Sequence, residues 1–507
     1  MKNRNVYYFL IFLLFLGSVI LRAPNLNRPL SDHHEWVTAH TMIILENWTA
    51  QGALKNKLCL LTTYPTFTDK FIWTSYGRIM NNAGNGYYIS FPSFAAIFPY
   101  MIFKALSVPC TVLNVQILNL VMHLITTYFV FLIFCFVMKD HKNCLFAAFL
   151  ASAYFIYLPA NLWFFSNIYS WDILWHYFWV IGIYQVLKIV HDMPLKHVTS
   201  SSLILLGVNI FLITYTLELS GIFFAVSIIA YGTAKLCQYA RYKHLMFYAV
   251  CPVIFALMVT YAQYAAITNT AEVIHYFQLA KSEYKFRGLM DILKIIHHYK
   301  MAYSGILVPI IIVLLISLKK WGVKYFHILN QNERVLLFFC FFPVMLQHLL
   351  QPNHTGEHDY QVLRSSMIFI SVLILGFNHL ASSGRMGRLL KSFLLILFAI
   401  SIIFPITTYQ NYYAFSSGPQ RFLKLSQKIR KASGADDVIF LISEIDNEPP
   451  LVFHTKRNML SVIYPEEAKE WLNQYGREQG IIMHIDKNFN ITQIEKVLSD
   501  VSGQIKI

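Results

Sequence analysis

Three short stretches concentrate carboxylates and imidazoles in an otherwise oily chain. "SDHHE" (31–35) carries Asp32, His33, His34 and Glu35; "SNIYSWDILWH" (166–176) carries Asp172 and His176; "PNHTGEHDYQVLR" (352–364) carries His354, Glu357, His358, Asp359, Tyr360 and Arg364. A carboxylate can take the proton of an attacking hydroxyl, while a guanidinium or a protonated imidazole can hold a phosphate. Imidazoles can also ligate a metal. "HTGEH" (354–358) fits the H-x-x-E-H zinc-protease pattern, which works only when a helix puts both histidines on one face. Pro352, Asn353 and Gly356 predict a loop instead, so a membrane metalloprotease is a remote alternative. His354, Glu357 and His358 remain candidate ligands for a divalent metal without proteolysis.

The elements that must position these groups are membrane helices. With 56% hydrophobic and 13% charged residues among 507, the chain is too apolar for a soluble domain. Its net charge of +15 does not indicate nucleic acid, because Lys and Arg fall in short clusters between apolar runs. Runs near 6–22, 114–137, 144–162, 173–190, 201–217, 220–236, 245–266, 301–318, 334–350, 363–380 and 389–408 predict about eleven transmembrane helices. The basic clusters then alternate onto one side, the cytoplasm, together with the N-terminus. The first segment lacks a small-residue cleavage pattern and reads as a retained anchor in the plasma membrane. The run 89–106 is short and contains two prolines, so it reads as an interfacial helix. The seven cysteines have no metal-type spacing and read as packing residues.

This reading puts loop 23–113, the segments 163–172, 267–300 and 351–362, and everything after about 409 outside the cell. All three acid- and histidine-bearing stretches then share the external face, where ionisable groups beside spans usually have a function. The segment 268–300 mixes aromatics with Lys281, Lys285 and Arg287 and could clasp a lipid phosphate. Two regions follow: a transmembrane module over 1–408 and an external α/β domain over 409–507. In the latter "GADDVIFLIS" and "IIMHID" read as strands, and "PEEAKEWLNQYGREQG" and "ITQIEKVLSD" as helices. It has no glycine-rich phosphate loop, and nucleotide binding is not expected there.

The acidic cluster after the first span, the interfacial "YYISFPSFAAIFPYMIFKAL" (87–106), the acid ahead of the fourth span and the external tail together resemble the GT-C membrane glycosyltransferases. The resemblance is to enzymes of the protein O-mannosyltransferase and lipid A aminoarabinose transferase kind. In that family the first loop often reads Asp-Glu before an alanine-bearing helix; "HEWVTAHTMIILENWTAQG" (34–52) has His34 at the Asp position. Asp32 and Glu35 therefore both stand as the base, with Asp172 behind them. The resemblance implies an inverting transfer from a polyprenyl-phosphate sugar donor to a hydroxyl of a glycan, lipid or protein, among membrane lipids and without nucleic acid. The donor-binding residues it suggests are His33, His34, Lys281, Lys285, His358, Asp359, Tyr360 and Arg364. A flippase or transporter for a lipid-linked glycan, or an O-antigen polymerase or ligase, is the alternative.

Overall fold

In the computed structural model, residues 2–500 are described apart from 32, 66–77, 82–83, 196, 269–270, 276–287, 322–327, 383–387, 415–419, 444, 446–448 and 475. The chain forms two compact units, one of residues 1–26, 116–260 and 282–415, the other of 27–115, 261–281 and 416–507.

The segments expected to span are helical, save for breaks at Leu158 within 144–162 and at 303–306 within 301–318. Among the described residues seven helices are long and apolar enough to cross a bilayer: Arg4–Asn25, Val112–Val137, Trp171–Asp192, Glu218–Leu236, Tyr242–Ala265, Gln331–Leu350 and Asp359–Ala381. Two bent pairs, Cys144–Tyr157 with Pro159–Asn167 and Leu289–Ala302 with Leu307–Ser317, bring the number to nine if each pair counts as one span. The protein is thus a multi-pass membrane protein. Of the remaining expected spans, Ser200–Thr216 is a 17-residue helix and Arg388–Thr408 a 21-residue one.

The breaks have local causes. Leu158, ahead of Pro159, is held extended (φ −56°, ψ 132°) because the proline ring excludes the helical conformation of its predecessor. The helix axis turns by 61° there. Asn161 Nδ2 donates to Phe155 O (2.7 Å), satisfying a carbonyl near the break. The second bend, of 96°, holds Gly305, where an added Cβ would collide with Pro405. At the end of the first span Arg22 is fully buried. Its Nε donates to Ser18 O (3.0 Å), Nη2 to Ser18 Oγ (2.6 Å) and Nη1 to His123 Nδ1 (3.0 Å), which keeps a cation tolerable in an apolar bundle.

In the second unit, strand Ile439–Ser443 pairs parallel with Leu460–Ser461 and with Gln479–Ile485. Its run Val438–Leu441 is apolar throughout because both faces are covered: Ile439 and Leu441 enter one core, Val438 and Phe440 the other. Gly480 is required on the neighbouring strand, since a Cβ there would lie 2.7 Å from the Phe440 ring. The expected helix over "ITQIEKVLSD" is instead strand Ile491–Leu498, antiparallel to Gln479–Ile485. Its Ile491, Ile494 and Val497 spacing suits a helix, but the open edge of the preceding strand prevails. The turn is built by Asp486, whose Oδ1 accepts from Asn488 N (2.9 Å) and Asn490 N (2.8 Å). His484 and Glu495 then pair across the strands at 2.8 Å.

The first-loop helix Glu35–Gln51 belongs to this same unit and packs on helix Pro449–Thr455. Lys456 Nζ meets Glu46 Oε1 at 2.6 Å, and Asn458 exchanges hydrogen bonds with the Tyr64 backbone, accepting from N (2.8 Å) and donating to O (3.1 Å). His454 donates from Nε2 to Leu30 O (3.1 Å); burial, with Lys456 and Arg430 nearby, lowers its pKa to about 4. An unfolded chain takes up that proton below about 6.5, whereas the folded unit takes it up only near 4, so stability falls as pH drops through this window. Between pH 7.5 and pH 5 the loss should be about 2 kcal/mol. His454→Gln, which can keep the donor without the titration, should show a smaller drop in thermal unfolding midpoint over the same interval.

Candidate functional site

Ser170 opens helix Trp171–Asp192, its Oγ accepting from Ile173 N (3.3 Å), and this places Asp172 in the first turn, where a helix favours negative charge. Arg364 reaches it from a 3-10 turn, Asp359–Ser365, that runs directly into helix Ser366–Ser382. Both side chains are buried, and Arg364 Nη2 donates to Asp172 Oδ1 in a short ion pair. The guanidinium also lies over the Trp175 ring, 5.0 Å from its centroid. Its Nε and Nη1 are buried and have no hydrogen-bond partner among the described residues. One half of the guanidinium is neutralised, and the other retains donors for an anion.

Gln361 extends the pair. Its Nε2 donates to Asp172 Oδ1 (3.1 Å), which orients the amide, so the contact of the same Nε2 with His354 Nε2 (3.1 Å) makes the imidazole an acceptor there. Burial, with His358 and Arg364 nearby, pushes the His354 pKa well down. Both observations favour a neutral ring over the protonated one that phosphate binding by His354 would need. His354 lies in a short helix, Pro352–Glu357, where a loop was expected. His358 follows it in extended conformation (φ −125°, ψ 103°), so the shared helical face required by the zinc-protease pattern ends before the second histidine. The two rings stand 4.7 Å apart, and His358 stacks on Tyr360 at 5.1 Å. Glu357 is exposed.

Residues that sequence reasoning did not single out complete this end of the bundle. Tyr299 Oη lies 2.5 Å from His348 Nε2 and 2.6 Å from Ser365 Oγ, His348 Nδ1 lies 3.2 Å from Thr355 Oγ1, and His298 Nε2 donates to Gly356 O (3.0 Å). The available signal was a polar residue near the end of an apolar run. His176 is buried in an aromatic cluster, stacked on Phe155 at 5.8 Å, with Nε2 3.3 Å from Ser366 Oγ.

The first-loop candidates lie in the second unit. Glu35 is fully buried, with Oε1 2.9 Å from Arg28 Nη2 and Oε2 accepting from Ser31 N (2.8 Å). His33 and His34 both have left-handed backbone (φ 32° and 64°), a conformation that costs non-glycine residues on the order of 1 kcal/mol each. His34 Nδ1 accepts from Trp36 Nε1 (3.2 Å). Asp32, Lys281 and Lys285 lie outside the described residues. Among the described residues, the histidine and carboxylate group whose ligand atoms converge well enough for a metal is His141, Glu333 and His379.

No protein-family model and no curated protein matches the sequence. Solved structures do match. Archaeal oligosaccharyltransferase AglB from Archaeoglobus fulgidus, in complex with an inhibitory peptide and a dolichol-phosphate, superposes with TM-score 0.59 at 12% identity over 94% of this chain and 69% of that one. ArnT from Cupriavidus metallidurans, bound to undecaprenyl phosphate, gives 0.56 at 9% identity over 95% and 92%. The Archaeoglobus enzyme in complex with Zn and sulfate gives 0.56 at 13% identity over 93% and 67%. The fold is GT-C-like.

The burial of the Arg364 and Asp172 pair makes a distinct energetic prediction. Asp172→Ala strands a buried cation and should cost about 3–5 kcal/mol, whereas an apolar double replacement, Asp172→Leu with Arg364→Met, should recover most of it. Unfolding midpoints of the three purified proteins in one detergent give the comparison.

Proposed function

We propose that the protein is a GT-C-type glycosyltransferase that moves a sugar from a polyprenyl-phosphate donor to an acceptor hydroxyl at the external face of the plasma membrane. The observation that carries this reading is the half-neutralised Arg364 guanidinium, buried beside Trp175 with Nε and Nη1 left as donors. In the transfer the acceptor oxygen bonds to the anomeric carbon as the carbon–oxygen bond to phosphate breaks, inverting that carbon. The leaving polyprenyl phosphate keeps the electron pair. Its charge would be met by fixed donors in a low dielectric, where they are strongest. Arg364 fills that role, and the lipid phosphates named in the two structural neighbours are ligands of the same chemistry.

Asp172 is then a positioning residue, since its Oδ1 already receives Arg364 and Gln361. The acceptor proton goes to a first-loop carboxylate. Both oxygens of Glu35 are engaged by Arg28 and Ser31, which supports Asp32 as the base. The donor set also includes His358, Asp359, Tyr360, His33, His34, Lys281 and Lys285. In the proposed organisation residues 1–408 form an eleven-helix catalytic module and 409–507 an external domain. The two bent helices give a lipid-linked glycan transporter a second reading, because transporters break helices around their substrate.

Arg364→Lys should weaken polyprenyl-phosphate binding to the purified protein about tenfold or more, since a point charge replaces a planar donor set. Unchanged binding would remove Arg364 from the donor site. Asp32→Asn should abolish sugar transfer at normal membrane abundance, while Glu35→Gln should chiefly lower abundance through Arg28. Transfer of a labelled sugar from lipid to a hydroxyl acceptor separates the enzyme from a transporter, which moves the intact lipid-linked sugar. Orientation is tested in a background without native cysteines: Ser443→Cys should react with an impermeant thiol reagent in spheroplasts and Lys142→Cys should not.

A further inference from the structure

At the opposite ends of the same helices lies a second titratable cluster that the proposed transfer does not use. Glu333 is in the first turn of helix Gln331–Leu350 and His379 is in the last turn of helix Ser366–Ser382. Fifteen residues separate Glu333 from His348, and fifteen separate Arg364 from His379. At helical rise both intervals are roughly 22 Å. His141 joins them from the turn between helices Val112–Val137 and Cys144–Tyr157.

Both imidazoles converge on one carboxylate. His379 Nε2 lies 3.1 and 3.0 Å from Glu333 Oε1 and Oε2, and His141 Nε2 lies 3.3 Å from Oε1. Bonds of about 2.0–2.1 Å in a tetrahedral shell put neighbouring ligand atoms about 3.4 Å apart, close to these separations. All three ligand atoms lie within 4.8 Å of one another. The rings are perpendicular, with centroids 5.3 Å apart, so neither obstructs the other. The two imidazole nitrogens must approach most, and His141 can supply that movement, being half-buried on a turn. Two neutral imidazoles and one carboxylate suit zinc and its transition-metal neighbours, whereas magnesium and calcium favour all-oxygen shells.

We propose that His141, Glu333 and His379 bind a zinc-class divalent ion, with the fourth position left to a small ligand. The ion ties the turn at His141 to the two helices whose far ends carry His348 and Arg364. It acts as a structural clamp and does not reach the chemistry. The proposal is independent of the transferase reading.

Glu333 also completes a capping box, its Oε2 accepting from Asn330 N (2.8 Å) and its N donating to Asn330 Oδ1 (2.9 Å). The histidines are therefore the cleaner test. Full-length protein, stripped with chelator and exchanged into metal-free detergent buffer, is titrated with zinc and with cobalt. One equivalent should bind, with a tetrahedral cobalt spectrum, and zinc should raise the unfolding midpoint. His379→Ala and His141→Gln should lose affinity by more than the roughly 10–100-fold that a lost outer-shell partner costs. His141→Cys should retain the site and add a thiolate-to-cobalt band, which a simple imidazole–carboxylate hydrogen-bond cluster cannot produce. Absence of stoichiometric binding by wild-type protein, or wild-type affinity in both histidine variants, overturns the proposal. A His141→Cys protein that binds cobalt without the thiolate band does so as well.

Discussion

A guanidinium at 2% exposure must have its charge met by groups inside the protein, and at Arg364 that requirement organises one end of the helical unit. Arg364 meets it through Asp172, and the contact joins two helices nearly two hundred residues apart in sequence. Gln361 then aligns on the same carboxylate oxygen and passes orientation to His354. Only Nη2 is committed to the carboxylate, so the pair holds the arginine in place while leaving it able to receive an anion. A fully satisfied arginine would be structural; a wholly unpaired one would be too costly to bury.

The helices around the pair are shaped by a second demand, that every backbone group within a bilayer find a partner inside the protein. Where Pro159 interrupts a span, Asn161 restores a bond to Phe155 O, and where Leu217 breaks the course between two helices, the following helix restarts at once with Glu218. Arg22 shows the same economy, with all three guanidinium nitrogens bonded to Ser18 and His123. Polar side chains in this bundle are therefore read by what they satisfy. Ser18 and Asn161 complete the scaffold, whereas Arg364 has donors to spare.

In the second unit the contacts of Glu35 change its interpretation. As a bare sequence feature it is one of two acids in a histidine-rich loop. Its oxygens on Arg28 and Ser31 N make it the brace of a turn in which His33 and His34 occupy left-handed backbone. Such conformations persist where surrounding structure compels them, and Glu35 is part of that compulsion.

The sequence by itself determined the class of the protein and the approximate course of its helices, because helices that cross a bilayer must be long and apolar and so announce themselves in local composition. It also marked Asp172 and Arg364, since charge beside a span is conspicuous. It misread residues 491–498: Ile491, Ile494 and Val497 satisfy a helical period, and the strand exists because the edge of 479–485 was open to pair. Tertiary structure alone decided which polar groups meet. Gln361 is unremarkable until it touches Asp172 and His354, and His141, Glu333 and His379 have no motif, one on a turn and two at the ends of different helices. Helix formation is governed by neighbours within a few residues, whereas these clusters depend on how separate helices pack, and no local pattern encodes that.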